Sequence, residues 1–119
     1  MNIASFKGMR SFASAISYYS ELNFTVSIPL DESRYDLVVD KGGKLYKVQT
    51  KYTSKRDRLN QFVLDLRTGS HRKGYTMKEV DFVYVLTETR ESYEIPIDKL
   101  HGKTTIRLKF FEDHRIVAL

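Results

Sequence analysis

Residues 34–51, RYDLVVDKGGKLYKVQTK, set two adjacent glycines between two runs of alternating apolar residues, the pattern of a β-hairpin. A two-residue turn needs φ > 0 at both central positions, which glycine adopts without steric cost. With Gly42 and Gly43 as that turn, the register follows. Lys41 faces Lys44, Val39 faces Tyr46, Leu37 faces Val48 and Asp36 faces Gln49. Leu37, Val39, Tyr46 and Val48 then form one apolar face that can pack on a helix, and Asp36, Gln49 and Lys51 share the other. A slip of one residue would exchange the faces and bury the polar set.

The elements around this hairpin follow from periodicity. In residues 9–22, MRSFASAISYYSEL, Phe12, Ile16 and Tyr19 recur at helical spacing with Met9 and Ala13 beside them, which predicts an amphipathic helix stopped at Asn23. The serines 11, 17 and 20 fall on its polar face. Strands are expected at 24–28, 35–40, 44–51, 61–67, 80–87, 92–97 and 104–110, with a helical turn at 98–100. The run VDFVYVLT is apolar but for Asp81 and Thr87 and reads as a central strand. YTSKRDRLN and TGSHRKGY read as basic loops. One helix followed by closely spaced strands is an α+β pattern, and 119 residues fit a single domain, 1–119, with one modest core.

Charge is unevenly spread. The net charge is +5, yet residues 41–78 alone hold eleven Lys or Arg against two acids, Asp57 and Asp65. The remaining residues are net acidic, so the excess of positive charge sits in one third of the chain, as suits a polyanion partner. Absence of cysteine excludes disulfides, zinc–thiolate sites and thiol catalysis. The three histidines are scattered, which argues against histidine–metal catalysis. No apolar run approaches the roughly 18 residues of a membrane span, and no signal-like segment opens the chain. The expectation is a soluble, cytoplasmic protein in a reducing compartment.

The polar face of the hairpin has a chemical use. Paired residues have Cβ atoms roughly 5 Å apart and a two-residue step is about 6.8 Å, so a carboxylate, an amide and an ammonium converge on one hydrated cation and one phosphate. Mg²⁺, for which Mn²⁺ can substitute, takes oxygen ligands and keeps several waters. Asp36 and Gln49 offer side-chain oxygens and Thr50 a backbone carbonyl. Lys51 is placed to position or deprotonate an attacking water.

Asp, hairpin, then Gln-x-Lys resembles the core of the PD-(D/E)XK nucleases. More narrowly, RYDLVVDKGGKLYKVQTK resembles the group I intron-associated members, in which Gln replaces the usual acidic residue. The likeness extends through KGMRSFASAISYYSELNFTVSIPL before it and LRTGSHRKGYTMKEVDFVYVLT and YEIPIDKL after it. The resemblance implies a central mixed β-sheet with an N-terminal helix on one face. It implies Asp36 and Gln49 as metal ligands and Lys51 as the catalytic lysine. It further implies hydrolysis of double-stranded DNA by a homo-oligomer, a dimer or higher, because cutting both strands takes two sites. One departure stands out: many such nucleases carry an acid early in the first helix, where this chain has Arg10-Ser11-Phe12.

Lys55, Arg56 and Arg58, and the loop bearing His71, Arg72 and Lys73, are expected to contact phosphates, with Arg67 as a further clamp. Two alternatives remain open from the residues alone. One is a non-catalytic nucleic-acid-binding module on the same fold, favoured by the missing helix acid. The other is a nuclease acting on branched DNA, as a junction resolvase does.

Overall fold

The computed structural model describes residues 6–31, 33–67 and 79–117. Helix α1 spans Phe6–Glu21 and is followed by strands β1 (Thr25–Ser27), β2 (Leu37–Lys41), β3 (Lys44–Thr53) and β4 (Val63–Asp65). Next come β5 (Phe82–Thr87), β6 (Ser92–Pro96), a 3-10 turn Ile97–Leu100, β7 (Thr105–Arg107) and a second 3-10 segment, Leu108–His114. A five-stranded mixed sheet has the order β1-β2-β3-β5-β6, with β3 and β5 parallel and every other neighbour antiparallel. Strands β4 and β7 form a separate antiparallel pair. The α+β architecture, a mixed sheet with the N-terminal helix on one face, is the expected one.

Helix α1 buries Phe12, Ala15 and Tyr19 against Leu37, Val39, Val48 and Tyr84. The buried stripe is rotated from the expected one: Met9 and Ala13 face solvent, Ile16 is half-buried, and Ser11, expected on the polar face, is buried with Oγ donating to the Gly8 carbonyl at 3.0 Å. Positions 12, 15 and 19 form a tighter stripe than 9, 12, 13 and 16, and the small Ser11 and Ala15 let the helix approach the sheet closely. Asn23 ends the helix as expected. It adopts φ 64°, its N–H donates to Ser20 O at 2.9 Å, and Phe24 N–H reaches back to Tyr19 O at 3.1 Å, the double closure of a left-handed cap.

The hairpin register is as read from the glycines: Lys41 pairs with Lys44, Val39 with Tyr46 and Leu37 with Val48. Gly42 and Gly43 both have positive φ, 65° and 95°. Asp40 turns its carboxylate onto the Gly43 N–H at 2.7 Å and braces the turn. Strand β5 is inner rather than central, since β3 holds the middle. Its largely apolar composition is explained by cover on both faces: Tyr84 meets the helix, and Val83 and Val85 meet a second layer with Leu64, Leu66, Leu100, Ile106 and Leu108.

The late segments differ most from expectation. The 61–67 strand contracts to Val63–Asp65 and leaves the main sheet, and the 104–110 strand stops at Arg107 and continues as 3-10 turns. Leu108 is buried beside Ile106 while Phe110 is exposed, so the alternation ends there. Leu37 anchors β2 in the helix-side core, so Leu37→Ala is expected to cost about 2–5 kcal/mol. Urea unfolding followed by circular dichroism should show a lower midpoint with an unchanged slope.

Candidate active site

The β2–β3 ladder ends at Leu37–Val48, one residue short of the Asp36–Gln49 pair expected from the register. Asp36 lies in a bend before β2, and its N–H donates to Val48 O at 2.8 Å. Alternate residues of β3 direct their main-chain groups toward β2, and Thr50 is the next after Val48. There the Asp36 side chain takes over from the strand. Its Oδ2 accepts both the Thr50 N–H and the Thr50 Oγ1–H, each at 2.9 Å. Both residues are 7% exposed. The carboxylate is thus held at the mouth of the hairpin by two converging donors on one oxygen, and neither bond engages Oδ1.

Gln49 and Lys51 project to the opposite face of β3 from Val48, the face that Val83 and Val85 share on β5. Gln49 Nε2 donates to the Thr50 carbonyl at 3.2 Å. Lys51 is half-buried where the chain after β4 folds over it, and its Nζ donates to the Arg67 carbonyl at 3.1 Å. Burial pushes the Asp36 carboxyl above the ordinary aspartate range, against the pull of the two Thr50 bonds. Burial likewise pushes the Lys51 ammonium below the ordinary lysine range, with Asp65 and then Asp36 opposing that shift. The two shifts bring a carboxyl and an amine toward each other in pKa, a feature of sites that handle protons.

Asp65 is the residue that sequence reasoning missed. It sits on β4, and its carboxylate is bridged by Arg67 through Nε and Nη2, both at 3.0 Å. Those bonds hold its carboxyl below the usual range. Arg67, expected as a phosphate clamp, therefore has its fork on Asp65 while its carbonyl orients Lys51. No spacing in the sequence signals this, because it arises only when β4 turns back across β3. Arg34, paired with Glu79, adds positive charge that further disfavours the Lys51 ammonium.

Among the basic residues, Lys55 and Arg58 are exposed. Arg56 is exposed too, but its guanidinium lies 3.9 Å from the Phe62 ring centroid and donates to Asn60 O at 3.2 Å. His71, Arg72 and Lys73 lie outside the described residues. Of the expected set, Asp36, Thr50, Gln49 and Lys51 are brought together around β3, and the loop bases stand beyond its end.

A parallel β3–β5 pair flanked by a hairpin, with an acid at the hairpin mouth and a lysine on the following strand, defines a nuclease fold. Residues 6–116 match the family model described as PD-(D/E)XK endonuclease, and the chain belongs to that family. Among solved structures it is similar to a bacterial homing endonuclease, I-Ssp6803I, with 28% identity and a TM-score of 0.77 over 90% of this chain and 78% of that one. A search of curated proteins finds no match.

The donor set fits a hard divalent cation. Asp36 Oδ1, the Thr50 carbonyl and the Gln49 amide are all oxygen donors, and one carboxylate leaves room for the waters such an ion retains. Among the described residues no group of three or more His, Cys, Asp or Glu forms a denser cage. Gln49 and Thr50 are bonded to each other, so an ion that takes both oxygens has to displace that bond.

Asp36 carries a stability cost that can be measured. Its folded-state pKa is raised, so the penalty on the ionised form is fully present above that pKa and vanishes below the unfolded value, near 3.9. Asn at this position keeps an oxygen for both Thr50 donors and removes the charge. Asp36→Asn is therefore expected to melt above the parent protein at neutral pH, the gain shrinking to nothing below about pH 4. A lower melting temperature at neutral pH would show that the Thr50 bonds outweigh burial.

Proposed function

We propose that the protein is a metal-dependent endonuclease that hydrolyses phosphodiester bonds in double-stranded DNA, a Gln-x-Lys member of its family akin to intron-associated homing enzymes. The observation that carries this reading is the Asp36 carboxylate fixed by Thr50 beside a desolvated Lys51. The family membership and the likeness to a homing endonuclease support it.

Asp36, Gln49 and the Thr50 carbonyl would hold Mg²⁺, or Mn²⁺ in its place. When bound, the ion supplies positive charge at the scissile phosphate and acidifies a water. Lys51, its ammonium destabilised by burial, takes or steers the proton of the attacking water as the oxygen adds to phosphorus. The bond to one ester oxygen breaks and that oxygen takes a proton from solvent, leaving a phosphomonoester and a hydroxyl. The Arg67 carbonyl holds the amine toward the site. Lys55, Arg58 and the remaining donors of Arg56 bind backbone phosphates, as do His71, Arg72 and Lys73 in this reading.

Residues 1–119 act as one nuclease domain in the cytoplasm, and a duplex cut on both strands requires two copies related by a two-fold axis. Among the described residues no helix is long and apolar enough to cross a membrane.

A second reading has its own observation. Where related nucleases carry an acid early in the first helix, Ser11 is buried and bonded to Gly8 O. The site thus has one carboxylate fewer, as suits a DNA-binding module without activity. Supercoiled plasmid separates the two readings. The enzyme nicks it in Mg²⁺ or Mn²⁺ but not in chelator, Asp36→Ala abolishes nicking, and Lys51→Ala slows it by roughly 10²–10⁴-fold. Binding without nicking, unchanged in both variants, establishes the module instead.

A further inference from the structure

Beyond Thr53 the β3 strand runs on into a projecting hairpin. Val63 N–H donates to Lys55 O at 3.0 Å, and Arg56 bridges to Phe62. The tip, residues 57–61, is organised by Asp57. Its Oδ1 accepts Leu59 N–H at 2.9 Å and Gln61 N–H at 3.0 Å, and its Oδ2 accepts Arg107 Nε at 3.0 Å. The main chain closes the same turn, with Asp57 N–H on Gln61 O at 2.9 Å, Asn60 N–H on Asp57 O at 3.0 Å, and Asn60 at φ 64°. Arg56 braces it from the side by stacking on Phe62.

This well-braced loop holds Leu59 out in solvent, 70% exposed. A single exposed leucine on a loose loop means little. Here the backbone on both sides is tied down, so the side chain is held in its exposed position. Its surroundings are cationic. Lys55, Arg56 and Arg58 are exposed, and the one acid of the tip spends its charge on two amides and Arg107. An apolar side chain presented between cations on a stiff support suits a polyanion with an apolar interior that can be parted. A stacked nucleic-acid duplex is such a partner.

We propose that Leu59 is a wedge that enters a base-pair step of duplex DNA, unstacking it while Arg58 and Lys55 grip the flanking phosphates. The proposal rests on the nuclease reading for its substrate. The hairpin springs from the strand that carries Gln49 and Lys51, so one duplex lying over those residues meets the tip. At about 3.3 Å per residue, the five steps from Lys51 to Arg56 and the loop beyond span roughly 20 Å, placing the wedge within about six base pairs of the cleaved bond. Arg107 and Asp57 stiffen the tip and set its angle to β7.

The test uses the whole protein carrying Lys51→Ala, with chelator present so that the DNA is not nicked, on closed circular plasmid relaxed by a type I topoisomerase that needs no metal ion. Wedge insertion unwinds the duplex, so the linking number of the deproteinised plasmid falls in proportion to the protein bound. Adding Leu59→Ala should abolish the linking change while salt-dependent binding to the same plasmid persists, and Leu59→Phe should restore the change. Arg58→Ala should weaken binding and reduce its salt dependence while leaving the linking change per bound protein intact. An unchanged linking number for Lys51→Ala, or an equal change with Leu59→Ala, overturns the wedge. If either result is found while the unmutated protein nicks plasmid, the wedge fails and the nuclease reading stands. Loss of self-association in Leu59→Ala without any linking change would instead assign the tip to a second copy of this chain.

Discussion

Two donors of one residue, the Thr50 N–H and the Thr50 hydroxyl, meet on a single oxygen of Asp36, and the arrangement around the site depends on that meeting. The carboxylate stands in for the main-chain acceptor that β2 would have supplied had it continued. The strand can therefore stop, the chain can bend away, and the Thr50 N–H keeps an acceptor. The same bonds fix the acid in space without engaging its second oxygen. A structural need and a chemical one are met by one side chain, and the charge of that side chain is disfavoured by its burial.

The two layers of the molecule give the site its contrast. On the helix side, Leu37, Val39, Val48 and Tyr84 make a dry core that sets the hairpin's orientation. On the other side, β4 and the chain after it close over Lys51 and partly desolvate it, while Asp65, bridged by Arg67, partly restores the balance of charge. The lysine belongs to the rim of a core as much as to a site. Sites that hold charged groups in poorly solvated surroundings give up some stability, and raised carboxyl and lowered amine pKa values are its signature here.

Much of this was legible in the sequence, for identifiable reasons. Gly42-Gly43, set between two alternating runs, suits a two-residue turn with positive φ at both positions, so the pairing of Leu37 with Val48 could be read residue by residue, and Asn23 marked the helix end because few residues tolerate its backbone geometry. The apolar run of β5 announced an inner strand. Local pattern did not show where the ladder would stop: the end of β2 is decided by a side-chain bond from Asp36 to Thr50, and regular alternation ran one pair too far. Nor did it show β4 leaving the sheet. Its apolar residues fit either sheet equally, and only the contacts of Leu64 and Leu66 with residues far along the chain decide. Asp65 stayed hidden for the same reason, and Ser11 was misplaced because a small residue reads as polar even where close helix packing favours it.

A divalent ion bound as proposed above depends on Asp36, held by Thr50. Electron paramagnetic resonance of free Mn²⁺ during titration with protein tests it directly, without reference to cleavage or to DNA. The parent protein and Lys51→Ala are each expected to remove Mn²⁺ from solution at one site per chain, and Asp36→Asn, folded, to remove none at the same concentrations. Equal uptake by Asp36→Asn would contradict it.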